Sequence, residues 1–244
     1  MIKFYLHTPE LPGWNLVFGE MVSKMAGSGL IDAVDEIHVC INGNQDNMMY
    51  LLGPLAEISP KIILRQVNND ALKWEWPTIN TIHQDCLKKS DGLDYIGYSH
   101  LKGLSRPSLS DQKATDWRHY LSYWTIERWK DNIVKLNEGC ETVGVNWLDD
   151  PWPHYSGNFW WATNRYIQQL EPLEDPSTLV EPHHSKFCFT RLLPKHEFRL
   201  ECEAWIGSGP TSTRRHELHA SPGKNNFMFH YYNTYAPENY REDQ

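Results

Sequence analysis

The chain has 244 residues, 23 of them Lys or Arg against 31 Asp or Glu, and its formal net charge of −8 leaves no basic footprint of the kind a phosphate backbone requires, so nucleic acid is excluded as a partner. No apolar run approaches the ~20 residues needed to cross a bilayer, and MIKFYLHTPELPG reaches its first proline at the ninth position, which points to a cytoplasmic protein without a membrane span. Five cysteines (Cys40, Cys86, Cys140, Cys188 and Cys202) are odd in number and form no CxxC pair, the pattern of reduced thiols rather than of disulfides or structural zinc.

IKFYLHT (2–8) reads as a first strand, closed by Pro9 and Pro12, and a helical pattern follows from Trp14 to Met25. IHVCING (37–43) and KIILRQV (61–67) read as the second and third strands, with the helical DNMMYLLGPLAEI between them. Strand, helix, strand, helix, strand is the signature of a parallel sheet. Residues 76–89 read as a helix, DYIGYSHLKG (94–103) as a fourth strand, and 116–136 as one long amphipathic helix or two shorter ones. ETVGVNWL (141–148) is a fifth strand, and LDDPWPHYSGNFWWA is a loop feeding a sixth. Residues 163–171 and about 183–193 read as helical, and NFMFHYY (226–232) as a last strand. The expectation is one α/β domain around a mainly parallel sheet flanked by helices.

In open parallel sheets ligands sit beyond the carboxyl ends of the strands. That rule collects His7 and Thr8, Asn42 and Asn44, Asn68 and Asn69, and His100 and Lys102, each polar and each at a strand end. GxGxxG after the first strand, GxxxxGK[ST] and GxSxG are all missing, which turns the reading away from nicotinamide enzymes, P-loop enzymes and α/β-hydrolases. In YSHLKGLSR, His100 and Lys102, with Arg106 shortly after, suit a diphosphate. In LDDPWPHYSGNFWWA, Asp149 and Asp150 precede a run with the makings of a sugar-binding wall. Gly157 lets a backbone approach closely, His154, Ser156 and Asn158 bond hydroxyls, and Trp160, on the side of Asn158, covers a ring face.

The order of these parts resembles a GT-A type glycosyltransferase, a sugar transferase that uses a nucleotide-sugar donor. YSHLKG and HYSGNFWWA are similar to stretches of small glycosyltransferases of polysaccharide and surface-glycan synthesis, including ones of large algal viruses. The resemblance implies a single GT-A-like, Rossmann-like domain, with a donor half (1–105) holding a nucleotide sugar, a UDP-sugar first among them, and an acceptor half (106–244) holding a glycan. Where the family commonly carries Asp-x-Asp for a divalent ion, this chain has Ser99-His100-Leu101-Lys102. Either Lys102 supplies the positive charge directly, the favoured reading, or His100 and His230 hold Mn²⁺ or Mg²⁺. An inverting transfer needs a base, and the resemblance puts Glu181 in that role at the start of a helix, with Asp150, Asp149 and Glu203 as rivals. Two other functions fit the residues: a carbohydrate-binding protein without catalysis, and a nucleotide phosphotransferase or hydrolase using Asp149 and Asp150 with a metal.

Overall fold

Apolar strand segments alternating with amphipathic helices bury both only when the helices lie across a parallel sheet. The computed structural model has this arrangement, and it describes residues 1–44, 46, 48, 52–54, 59–70, 73–88, 92–104, 111–179, 183–187, 192–193, 198–226 and 228–241. β1 (Ile2–Pro9) is followed by α1 (Trp14–Gly27), the short α2 (Leu30–Ala33), β2 (Glu36–Asn42) and β3 (Ile62–Asn68), and the three strands run parallel in the order β3-β2-β1. α3 (Trp76–Leu87) then carries the chain back to β4 (Tyr95–His100), which pairs in parallel with the other side of β1, His7 opposite His100. The strand order reverses at β1, so a crevice opens between the carboxyl ends of β1 and β4.

α4 (Gln112–Ser122) begins at Asp111, whose side chain accepts from the Lys113 amide, and runs through a π-helical turn (Tyr123–Glu127) before α5 (Trp129–Asn137). The expected fifth strand divides into β5 (Thr142–Gly144) and β6 (Trp147–Leu148), because Asn146 takes a left-handed conformation, φ 50°, that ends the pleat between them. β6 pairs with β7 (His154–Tyr155). β8 (Trp160–Thr163) lies antiparallel between β4 and β5, and α6 (Asn164–Ile167) follows it. After β9 (His183–His184), β10 (Leu192–Leu193) and α7 (Arg199–Trp205), β11 (Arg215–Glu217) joins β5 in parallel, and α8 (Phe229–Tyr232) comes last. Among the described residues the central sheet has seven strands in the order β3-β2-β1-β4-β8-β5-β11, and only β8 opposes its neighbours.

Side-chain alternation sends the two faces of the sheet into separate cores. Phe4, Leu6, Val39, Val143 and Trp161 pack under α1 and α4 on one side, while Tyr5, Cys40, Tyr98, Trp160 and Ala162 pack with Ile79 and Trp205 on the other.

Two local expectations are corrected. The described residues of 183–193 are not the expected helix: His183–His184 pairs antiparallel with Leu192–Leu193, and the amides of Lys186 and Phe187 donate to the Glu201 carboxylate instead of to carbonyls a turn back. NFMFHYY is not a strand but ends in the helical turn of α8, started by Asn226, whose side chain accepts from the Met228 amide and whose carbonyl accepts from Phe229. The turn places His230 and Tyr231 against the ring of Trp117. No helix among the described residues is long and apolar enough to cross a membrane.

Candidate active site

The crevice at the β1–β4 reversal is lined from four directions. β1 ends with His7 and Pro9, β4 ends with His100 and runs on through Leu101 and Lys102, and Trp74 and Glu75 enter from the turn that precedes α3. Trp117 of α4 and Tyr231 of α8 form the opposite wall, and α7 adds Arg199 and Glu203, four residues apart on one helix and therefore on one face. The mouth of the cleft is open to solvent, and the space inside that admits water-sized molecules is about 90 Å³.

Its polar groups are mostly buried and partnered. His7 Nδ1 lies 2.8 Å from Thr78 Oγ1, and burial pushes the imidazole down to about 3. His100 Nε2 lies 3.0 Å from the Gly157 carbonyl, so Nε2 donates and Nδ1 keeps its lone pair, 3.6 Å from Glu75 Oε1. Burial, reinforced by the charge of Lys102, holds His100 well below the usual histidine range. Both imidazoles are neutral at physiological pH. Lys102 Nζ stands 3.9 Å from the centre of the Trp117 ring and 4.0 Å from Glu203 Oε1, a cation between an aromatic face and a carboxylate. Arg199 bonds Tyr231 and feels the charges of Glu203 and Glu75. Glu75 is the outlier. Burial, then repulsion from Glu203, pushes its carboxyl up to about 7, although Lys102 and Arg199 pull the other way. Its Oε2 is buried with no hydrogen-bond partner among the described residues.

Of the residues expected at the donor side, the structure brings His7, His100 and Lys102 to the cleft. Thr8 is buried, its hydroxyl donating to the Leu6 carbonyl, and Asn44 binds the Glu10 carboxylate through its amide N–H. Asn68 caps its own turn by accepting from the Asp70 amide. Asn42 reaches the site indirectly: its Nδ2 donates to the Trp74 carbonyl at 3.2 Å and so fixes the step into Glu75.

The aromatic stretch is placed differently from expectation. β8 is an inner strand with both faces covered, so Trp160 and Trp161 are fully buried in opposite cores and neither lines the cleft. Asn158, at φ 57°, bonds inward, accepting from Trp160 Nε1 at 3.0 Å and donating to the Cys202 carbonyl. His154 and Ser156 are buried as well, His154 Nδ1 donating to the Trp152 carbonyl and the Ser156 amide to Asn146. Gly157, at φ 91°, holds a left-handed backbone conformation that other residues rarely adopt, and a Cβ there would also crowd the Leu121 side chain at 2.5 Å. Its carbonyl is still part of the site because it sets the His100 tautomer.

Asp149 and Asp150 are exposed on the turn after β6, Asp149 accepting from Trp147 Nε1, and neither lines the cleft. Glu181 and Arg106 lie outside the described residues. His230 stacks on Trp117 and shares its Nε2 with Ser221 Oγ at 2.9 Å, and His100 Nε2 is committed to the Gly157 carbonyl. No cluster of three or more potential ligand side chains occurs among the described residues. Sequence reasoning passed over Glu75, Trp74 and Arg199, and kept Glu203 only as a rival. The available signal was KWEWP, an acid set between two tryptophans directly ahead of a helix.

No curated protein matches the chain. Residues 37–236, which include the whole cleft wall except His7, Pro9 and Leu11, match the model of DUF8361, a domain of unknown function, and the chain belongs to that family.

Proposed function

We propose that the protein is a glycosyltransferase that moves a sugar from a nucleotide-sugar donor, a UDP-sugar first among them, to a hydroxyl of a glycan, with the β1–β4 crevice as its active site. The observation that carries this reading is the coincidence, at the strand-order reversal, of two cations (Lys102 and Arg199), two carboxyls (Glu75 and Glu203) and the aromatic side chains Trp74, Trp117 and Tyr231. The cations suit a diphosphate, the rings suit a base or a sugar, and a carboxyl near neutrality suits proton transfer. A GT-A-like form of the fold belongs to the same proposal, supported by the parallel strands β3-β2-β1-β4 of the first half and by the antiparallel aromatic strand β8 beyond β4. Binding of a donor diphosphate by Lys102 and Arg199 leaves a role for Mn²⁺ or Mg²⁺ to be decided by titration.

A thermal-shift panel of nucleoside diphosphates, nucleotide sugars and free oligosaccharides, with and without Mn²⁺, tests the proposal, because a ligand that binds the folded state raises apparent stability by mass action. Stabilisation by a nucleoside diphosphate and by its sugar conjugate is expected. Stabilisation by oligosaccharides alone would replace the transferase reading with that of a carbohydrate-binding protein.

A further inference from the structure

Glu75 stands at the amino end of α3, where an acid ordinarily turns back to accept a backbone N–H and meet the helix dipole. Its carboxyl makes no cap bond to the amides of α3 and meets only its own backbone N–H, while its backbone carbonyl accepts from the Thr78 and Ile79 amides. The carboxyl enters the cleft instead. The step that directs it there is conformationally unfavourable, since Trp74 is held at φ 52°, a left-handed conformation that a bulky side chain rarely adopts, with its carbonyl tied to Asn42. Inside the cleft Glu75 Oε1 faces His100 Nδ1, which the Gly157 carbonyl has fixed as a lone pair, and Oε2 has no partner among the described residues. A carboxylate facing a lone pair is poorly supported, whereas a carboxylic acid can donate to it. The site is therefore built to accept a proton at Glu75. Glu203, the other acid of the cleft, has Lys102 at 4.0 Å.

We infer that Glu75 is the catalytic base of the transfer reaction, an inference that rests on the function proposed above, and that the reaction inverts the anomeric centre. The acceptor hydroxyl gives its proton to Glu75 as its oxygen attacks the anomeric carbon. The bond from that carbon to the donor's diphosphate oxygen breaks, and its electron pair leaves with the nucleoside diphosphate, whose charge Lys102 and Arg199 meet. A single displacement inverts the configuration. His100 is a positioning residue: its fixed lone pair holds the new Glu75 O–H.

The test uses the full chain with UDP-glucose, UDP-galactose, UDP-N-acetylglucosamine and GDP-mannose as donors, each α-linked, and methanol as a small acceptor. Proton NMR reads the configuration of the methyl glycoside. Wild type should give the β-glycoside, and Glu75→Gln should lower the rate by about 10² to 10⁴ while still binding the nucleoside diphosphate. An α-glycoside, or a Glu75→Gln rate within about tenfold of wild type, would overturn the inference. If Glu75→Gln does not fold, the wild-type pH profile carries the test. The rate should rise with pH through about 7 as Glu75 ionises, and a flat profile would remove Glu75 as base. Failure of wild type to bind any nucleoside diphosphate would instead defeat the transferase reading, and this inference with it.

Discussion

Replacing Glu75 with glutamine should stabilise the protein at alkaline pH and leave it nearly unchanged in mild acid. In the unfolded chain this carboxyl ionises near 4.5, and in the folded cleft near 7. Between those values the folded state holds a proton that the unfolded state has released, so stability falls as pH rises. The stability associated with the protonated group is fully present below about 4.5 and is lost once pH has passed through about 7. The distance from 4.5 to about 7, at about 1.4 kcal/mol per pH unit, sets a ceiling of about 3 kcal/mol. Glutamine has the same shape, never ionises, and can donate an N–H to His100 Nδ1, so it escapes that loss. Urea or thermal unfolding of wild type and variant at pH 5 and pH 8.5 reads the effect. The variant's advantage should grow with pH, reaching on the order of 5–10 °C in Tm for a chain of this size. An equal difference at both pH values, or a wild type more stable than the variant at pH 8.5, would show that Glu75 is not held in the unsupported state described for it. The expected outcome is a stability cost carried by a functional group, as active sites commonly show.

Other outcomes follow from the same geometry. Lys102→Ala should weaken nucleoside-diphosphate binding by about 1.5–3 kcal/mol, the worth of a charged hydrogen bond, as read by isothermal titration; unchanged affinity in the folded variant would remove Lys102 from the donor site. Trp160→Ala should cost about 3–5 kcal/mol of stability, because the indole is enclosed between Tyr98 and Trp205. A rise in acceptor KM at unchanged stability would instead restore Trp160 to the binding surface. Asp150→Asn, on an exposed turn, should alter stability by no more than about 0.5 kcal/mol and leave turnover intact, and a large loss of turnover would bring that acid back as a candidate base.

The first half of the fold was legible because its strands are short runs rich in apolar and β-branched residues, of which β1, β2 and β3 stop at Pro9, Asn42 and Asn68. Once they were placed, the carboxyl-end rule collected His7, His100 and Lys102, which line the β1–β4 crevice. Asn44 and Asn68, collected by the same rule, each accept from the amide two residues on, because a polar residue after a strand satisfies backbone groups as readily as it meets a ligand. HYSGNFWWA misled for a physical reason. An inner strand with two covered faces needs large side chains in both directions, and its alternation cannot be told by composition from that of a binding wall. Asn158 and Gly157 looked like ligand contacts but supply the left-handed turn into that strand. Glu75 and Arg199 were hidden because each lies in or beside a helix, where an acid reads as a cap and a base as a solvated residue. Only the chain path, folding α3 and α7 over the β1–β4 reversal, brings them together.

The proposed function requires the β1–β4 crevice to bind a nucleotide sugar through its diphosphate. Calorimetric titration of UDP and UDP-sugars into wild type and Lys102→Ala, with Lys24→Ala as a control in the separate cleft between α1 and the π-helical turn, tests it most directly. Saturable binding to wild type and to Lys24→Ala is expected, with markedly weakened binding to Lys102→Ala. Binding that survives in Lys102→Ala and disappears in Lys24→Ala, or no nucleotide binding in any of the three proteins, would contradict it.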